Sequence, residues 1–497
     1  MKKTITSLLI FILCAGYAVA QNQRDLLKEY EEFRKNATKE YEDFRSKANA
    51  EYAEFMSQSW EKFQAFRGLS APKFPDPVKQ PVAETVKKPT TDVLPFVSIT
   101  HVPVATPRPQ PLSPILVPAP VPTPEIPETP VAPLPEPAKS GYSFLFYNTE
   151  CKVSLDNKLQ FSLPDASEQN VAQAWKTLSG DSYNALISNC LTLRDQLNLS
   201  DWGYFLLLKD LSEKFLGKDS NEAVLLQMFI LTQSGYKVRI ARAGNHLALL
   251  VPFQQTIYKH TYFSIDGMKY YLMNNELEKQ EFYVFNREFP GEQYFSWQNE
   301  QPKLAVNLTA PKSFASSRYP EINVPVQTNQ NLIDFYDDYP LSSEFNLYAL
   351  TDLSETAKQA LYPVLQRVIA GKSTTEAADM LLNFLQTAFA YQTDTQQFGF
   401  ERPFFPDENF TFPYNNCKDR AVLYSILVKE LLNLDAVLLL YPNHLATAVY
   451  FPDDVPGDYL MVDGKKYVVC DPTYIGANIG RAMEQFKQVS AEVITIW

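Results

Sequence analysis

The sequence predicts an α+β protein in which two related α/β units follow a long helix and a proline-rich linker. Three observations carry that prediction. An aromatic motif recurs every eleven residues near the start, 20 of the 36 prolines fall between Pro72 and Pro137, and the chain around His246 reads like the chain around His444. A length of 497 residues suffices for two or three compact domains. With 45% hydrophobic residues the chain is not wholly disordered, and a net charge of −12 argues against nucleic acid, whose binders present a basic face. Protein, peptide or glycan remain as partners.

Residues 1–20, MKKTITSLLIFILCAGYAVA, combine two lysines, a short apolar run and small residues at Ala18 and Ala20. That pattern predicts a secretory signal peptide cleaved after Ala20, and hence a protein exported to the periplasm or beyond. Leu13 is too large for the small residue that a lipoprotein cleavage site wants before Cys14. No later run reaches 18 uncharged apolar residues, so no transmembrane span is expected. Removal of Cys14 leaves Cys151, Cys190, Cys417 and Cys470. Four thiols are too sparse for a disulfide framework in so long a chain, so at least one invites a chemical role. Pairing of Cys151 with Cys190 stays open.

Residues 21–68 are expected to form a helical stalk. EYEEF, EYEDF and EYAEF begin at Glu29, Glu40 and Glu51. Eleven residues at about 100° each make three turns plus about 20°, which puts Tyr30, Tyr41, Tyr52, Phe33, Phe44 and Phe55 on one stripe. A lone helix cannot bury such a stripe, so it either self-associates or packs on a domain. The period breaks at Trp60 and Phe63, and Gly68 is the expected end. Residues 69–139, with proline at nearly every third position, are expected to stay extended without a core, as a spacer.

The chain beyond Ser140 becomes globular, and its two halves correspond. NHLALLV at His246 lies over NHLATAV at His444, DSNEAVLLQMFI over CKDRAVLYSILV, and IDGMKYYLMNN over VDGKKYVVCDP. Asp219 precedes His246 by 27 residues, as Cys417 precedes His444 by 27. An internal duplication follows, with units at 140–295 and 346–497. The segment 296–345 between them carries strand-like runs such as KLAVNL and EINVPV and is expected to brace the two.

In the second unit, Asn416 reads as an N-cap and Asp419 as its capping-box acid, placing Cys417 in the first turn of a helix that runs to Leu432. The helix N-terminus favours a thiolate and can supply oxyanion donors. DAVLLLYP, HLATAVYF, DYLMVDG and KKYVVCDP then read as consecutive short strands. His444 opens one and Asp471 closes another, so that imidazole can bridge thiol and carboxylate. Zinc binding by Cys417, His444 and Cys470 fails, because Cys470 and Asp471 alternate faces of one strand. No nucleotide loop or metal motif is present, and no cofactor is expected. Gln392 is a candidate oxyanion donor; His101 and His260 read as solvated.

On NNCKDRA, NHLATAV and VCDPTY, in the order Cys, His, Asp, the sequence resembles the transglutaminase-like branch of the papain-type thiol fold. It also resembles the exported Bacteroides-type transglutaminase-domain proteins, which carry an aromatic helix and a proline linker ahead of the domain. The resemblance implies tandem transglutaminase-like units, with Cys417 as nucleophile, His444 as general base and then acid, and Asp471 as orienting carboxylate. It also implies acyl transfer from protein or peptide amides. Asp219, His246 and Asn274 would be the counterparts in a degenerate first unit, where Asp219 would cap a helix with Glu222 completing the box. An inactive envelope scaffold that uses both units for binding is the competing expectation. Between Tyr391 and Cys417 the second unit carries an insertion with Phe398, Phe400, Phe404, Phe405, Phe410 and Phe412 that is placed to roof the site. Its acids, Asp394, Glu401, Asp407 and Glu408, would draw a cationic amine towards a thioester.

Overall fold

The computed structural model describes residues 42–70, 77–84, 92–100, 141–155, 159–180, 183–273, 281–296 and 301–496, with a few single positions between 32 and 40. The expected signal peptide (residues 1–20), Tyr30, Phe33, Tyr41, His101 and Asn274 lie outside the described residues. The fold is mixed α+β.

Chain order runs through helix α1 (42–56), β1 (Glu61–Phe63), β2 (Phe96–Thr100) and the hairpin β3 (Tyr142–Phe146) with β4 (Thr149–Val153). Helices α2 (Glu168–Leu178), α3 (Tyr183–Gln196), α4 (Asp201–Leu216) and α5 (Asn221–Gln233) follow. Then come β5 (Arg239–Ala243), β6 (His246–Pro252), β7 (Tyr262–Ile265), β8 (Met268–Leu272) and β9 (Phe282–Phe285). The connector holds the hairpin β10 (Lys312–Ala315) with β11 (Asn323–Val326), then α6 (Gln330–Asp337) and α7 (Phe345–Ala349). The last unit has α8 (Glu355–Ile369), α9 (Thr374–Thr387), β12 (Ala390–Tyr391), α10 (Asp394–Phe398), α11 (Glu408–Thr411) and β13 (Tyr414–Asn415). It ends with α12 (Cys417–Leu432), β14 (Ala436–Tyr441), β15 (His444–Tyr450), β16 (Tyr459–Val462), β17 (Lys465–Cys470) and β18 (Ala491–Thr495).

The two large sheets share one strand order. In the first it is β1-β9-β5-β6-β8-β7, and in the second, read from the same side, β2-β18-β14-β15-β17-β16. The central hairpins also match in register: Ala243 pairs with His246 as Tyr441 pairs with His444. β14 and β15 are nearly continuous apolar runs because their sheet is covered on both faces. Leu438, Leu445 and Val449 join the core that includes α9 and α12, while Val437, Leu439 and Ala448 pack with Leu94, Tyr474 and Phe486 on the other side.

The N-terminal segment is more closely integrated than the sequence suggests. Helix α1 ends near Met56 rather than at Gly68: Trp60 donates its indole N–H to the Met56 carbonyl at 2.9 Å, and β1 then adds to the edge of the first sheet against β9. Tyr52 is buried against Trp175, Phe285 and Phe289, with ring centroids 5.0, 4.9 and 5.3 Å away, so this part of the stripe packs on a domain. Gly68 serves a close approach instead, since a Cβ there would lie 1.9 Å from the His260 carbonyl oxygen.

The described parts of the linker are likewise tied down. Residues 96–100, FVSIT, lie in a proline-free run after Pro95 and pair in parallel with β18 as the sixth strand of the second sheet. The Ala83 N–H donates to Ile475 O at 2.8 Å, and the Ile475 N–H donates to Pro81 O at 2.9 Å. In the connector, EINVPV contains β11, but KLAVNL forms no strand; side chains satisfy its backbone instead, Thr149 Oγ1 accepting from Ala305 N–H at 2.7 Å and Asn329 Oδ1 from Asn307 N–H at 2.9 Å. Among the described residues no helix is long and apolar enough to cross a membrane.

Candidate functional site

The nucleophile candidate sits where its local sequence puts it. Helix α12 begins at Cys417 with Asn416 as N-cap: the Asn416 side chain accepts from Lys418 N–H at 3.0 Å, and Asp419 Oδ2 accepts from Asn416 N–H at 2.8 Å. Asn416 is itself held, donating from Nδ2 to Asp394 at 2.6 Å. The short parallel pair β12–β13 leads into this cap. One turn further, the buried Arg420 guanidinium spans Asn415 Oδ1 (2.8 Å), Gln386 O (3.2 Å) and Phe389 O (2.8 Å). Burial pulls its pKa down to about 10, against the charges of Tyr391, Asp419, Cys417 and Asp471.

His444 is the first residue of β15, and Asp471 follows the end of its neighbour β17. The His444 Nε2 lies 2.7 Å from Asp471 Oδ2, while Asp471 Oδ1 accepts from Thr473 N–H at 2.9 Å. The imidazole is stacked on Phe486 at 5.2 Å with planes 3° apart, and Phe486 is backed by Tyr441 at 4.5 Å. Carboxylate and stacked ring together fix the imidazole orientation. A donor hydrogen on Nε2 towards the carboxylate leaves Nδ1 as an acceptor, and Nδ1 is buried without a hydrogen-bond partner. Cys417 and His444 line one crevice with Phe345, Lys418, Leu440, Asn443 and Leu445. All three triad candidates are buried, and the crevice leaves no room for a water molecule.

Gln392 is half-buried just after β12 and does not line this crevice. The acids of the insertion are not a funnel for cations. Asp394 and Glu401 hold the buried Lys418 ammonium at 3.2 and 2.7 Å, Glu408 pairs with Arg402 at 2.6 Å, and Asp407 accepts hydrogen bonds from Ser354 N–H and Oγ–H. The phenylalanines pack the loop rather than roofing the crevice: Phe398, Phe404 and Phe412 surround the Arg402 guanidinium, and Phe405 and Phe410 enter the core.

Among its described residues the first unit assembles no such constellation. Helix α5 is capped by Ser220, which accepts from Ala223 N–H at 3.1 Å, so Asp219 is not the cap; it is exposed, outside the helix, at φ 57°. Glu222 completes no box and instead accepts from Leu163 N–H at 2.7 Å. The helix starts two residues later relative to its hairpin than α12 does, and its first residue is Asn221. Asn221 clamps the hairpin tip, accepting from Leu247 N–H at 2.8 Å and donating to Asn245 O at 2.9 Å. His246 is exposed beside it.

Sequence reasoning missed Phe345, Phe486 and Arg420. The first two come from elements remote in the chain, and nothing in their spacing signals the site. Arg420 was legible: three residues after Cys417 it must share that face of the helix. Compared with family models, curated proteins and solved structures, the chain matches none of them.

Proposed function

We propose that the chain is a transglutaminase-like thiol enzyme of the papain type, acting on amide bonds of protein or peptide substrates with Cys417, His444 and Asp471 as its triad. The observation that carries this reading is the orphan Nδ1 of His444, fixed through Nε2 by Asp471 and buried in the crevice that Cys417 lines. A neutral imidazole in that tautomer can take the thiol proton. The Cys417 sulfur then attacks the amide carbonyl, the C–N bond breaks, and the imidazolium gives its proton to the leaving amine. The thioester is discharged by water, which regenerates the thiol and releases a carboxylic acid, or by an amine, which forms a new amide. Hydrolysis is favoured, because the acids that would attract a cationic amine are engaged in internal pairs.

The shared strand order of the two sheets supports a duplicated unit, with the first kept for packing or binding. The competing scaffold reading draws on one observation, the closed crevice over Cys417. A peptide library offered with and without a labelled primary amine separates the readings. Cleavage that is lost in Cys417→Ala supports hydrolysis, and amine incorporation that is lost in the same variant supports transamidation. No turnover of any amide, with Cys417 labelled by an acyl-mimicking electrophile no faster than Cys470, leaves the scaffold.

A further inference from the structure

One wall of the crevice comes from a short element. Phe345, the first residue of the five-residue α7, lines it with Cys417 and His444, and the α7 N-cap, Glu344, makes no side-chain capping bond. Burial and, less strongly, the Glu492 carboxylate hold the Glu344 carboxyl above its ordinary pKa. Three residues on, and so on the same side of the helix, Tyr348 lines a cleft of about 400 Å³ between the two units. That volume is in the range of small-ligand sites, roughly 300–1,000 Å³. Its floor is aromatic, formed by Trp202, Phe205, Tyr339, Tyr348 and Phe405. Its rim carries both signs, with Lys209 and Lys259 against Asp337 and Asp338. His260, expected to be solvated, is half-buried here, its Nδ1 3.1 Å from Leu272 O.

We propose that α7 is a gate, and that the inter-unit cleft binds an aromatic or large apolar side chain of a peptide whose arrival moves α7 and opens the way to Cys417. An aromatic floor takes the side chain, and a rim with donors and acceptors but no dominant charge suits an uncharged amide backbone. One helix lends a side chain to each cavity, Phe345 to the crevice and Tyr348 to the cleft, so a ligand that displaces Tyr348 shifts the turn that also carries Phe345. The proposal rests on the thiol-enzyme reading for its purpose, but alkylation of Cys417 tests it whether or not the protein turns over a substrate.

The experiment is iodoacetamide alkylation of the full mature chain, read residue by residue by mass spectrometry. Phe345→Ala should speed modification of Cys417 at least tenfold while Cys470 stays slow, and Phe345→Leu, the milder change, should give a smaller gain. In the wild-type protein, the blocked dipeptide N-acetyl-Phe-Phe-amide should raise the Cys417 rate saturably. Leu206→Trp, which fills the cleft from its wall, should abolish that saturable effect of the dipeptide. The gate is overturned if Phe345→Ala and Phe345→Leu leave Cys417 unchanged, or if Cys470 accelerates in step, which means general loosening. The cleft assignment is overturned if the dipeptide has no effect or acts equally on Leu206→Trp. Acceleration by chitobiose and not by the dipeptide overturns the peptide class. Loss of peptide turnover with intact gating would instead count against the triad chemistry alone.

Discussion

At the scale of single residues, the imidazole nitrogen that carries the proton decides whether His444 can act as a base. Asp471 on Nε2 selects the tautomer with an acceptor at Nδ1. Asparagine at 471 can present its amide N–H₂ to Nε2 and so select the opposite tautomer, with Nδ1 protonated and unable to take the thiol proton. Asp471→Asn should therefore slow Cys417 labelling by an acyl-mimicking electrophile at least tenfold, about as much as His444→Ala, while circular dichroism shows the fold intact. Cys470 provides the internal control. Its thiol is fully buried beside Tyr424, and burial pushes its pKa well up, so it should react slowly in every variant. Equal labelling of Cys417 and Cys470 in Phe345→Ala, where the crevice is opened, would remove the proposed catalytic role from Cys417. In the first unit, by contrast, the first helical residue is an asparagine already bonded to the hairpin tip. Asn221→Ala should loosen that hairpin with no effect on Cys417 chemistry, as read by hydrogen exchange at residues 243–247.

At the scale of elements, the insertion between β12 and α12 acts as an internal brace, and its buried carboxylates leave a pH signature. Burial raises Asp407 from 3.8 to about 6, opposed by its hydrogen bonds from Ser354. A carboxyl with a raised folded-state pKa binds its proton more tightly in the folded than in the unfolded chain. Its stabilising contribution is complete below about 3.8 and is lost as pH rises through about 6, a difference of about 3 kcal/mol. Asp407→Asn should flatten the change in stability between pH 4 and 7 relative to wild type, measured by urea unfolding at both ends; parallel pH profiles would show that Asp407 stays charged. At the other end of the insertion, Asn416→Ala should cost about 0.5–2 kcal/mol for the cap. It should also slow Cys417 labelling, because the first turn of α12 loses its anchor to Asp394. These elements also show what a sequence can reveal. The start of α12, its capping box, the strands β14 to β17 and the pairing of His444 with Asp471 follow from local patterns, since caps and strand alternation are written in adjacent residues. The Asp219 cap was misread because Ser220, a second good capping residue, stands next to it. The fate of the acids in the insertion was not legible, because their partners Lys418, Arg402 and Ser354 are chosen by tertiary packing.

At the scale of the whole molecule, the N-terminal segment contributes the outer strand of both large sheets, β1 to the first and β2 to the second. A chain that starts at Gly141 would lose both strands together with α1. That would expose the edges of β9 and β18 and uncover the aromatic cluster of Trp175 and Phe285. Open, apolar sheet edges pair with other chains, so the truncated protein should associate or precipitate at concentrations where the chain with its N-terminal segment does not. This reverses what a free stalk would do, since removing an assembly helix makes a protein smaller in solution. Two substitutions on α1 separate the cases, because these neighbours on one stripe differ in burial. Tyr52 is buried, so Tyr52→Ala should cost about 3–5 kcal/mol, as for other buried aromatics, with no change in oligomeric state. Phe44 is 50% exposed, so Phe44→Ser should leave stability within about 0.5 kcal/mol. Sedimentation of the Phe44→Ser protein then reads the remaining part of the stripe directly. An unchanged sedimentation coefficient assigns the helix to domain packing alone, whereas dissociation of a wild-type oligomer would show that one helix both braces the first unit and joins chains.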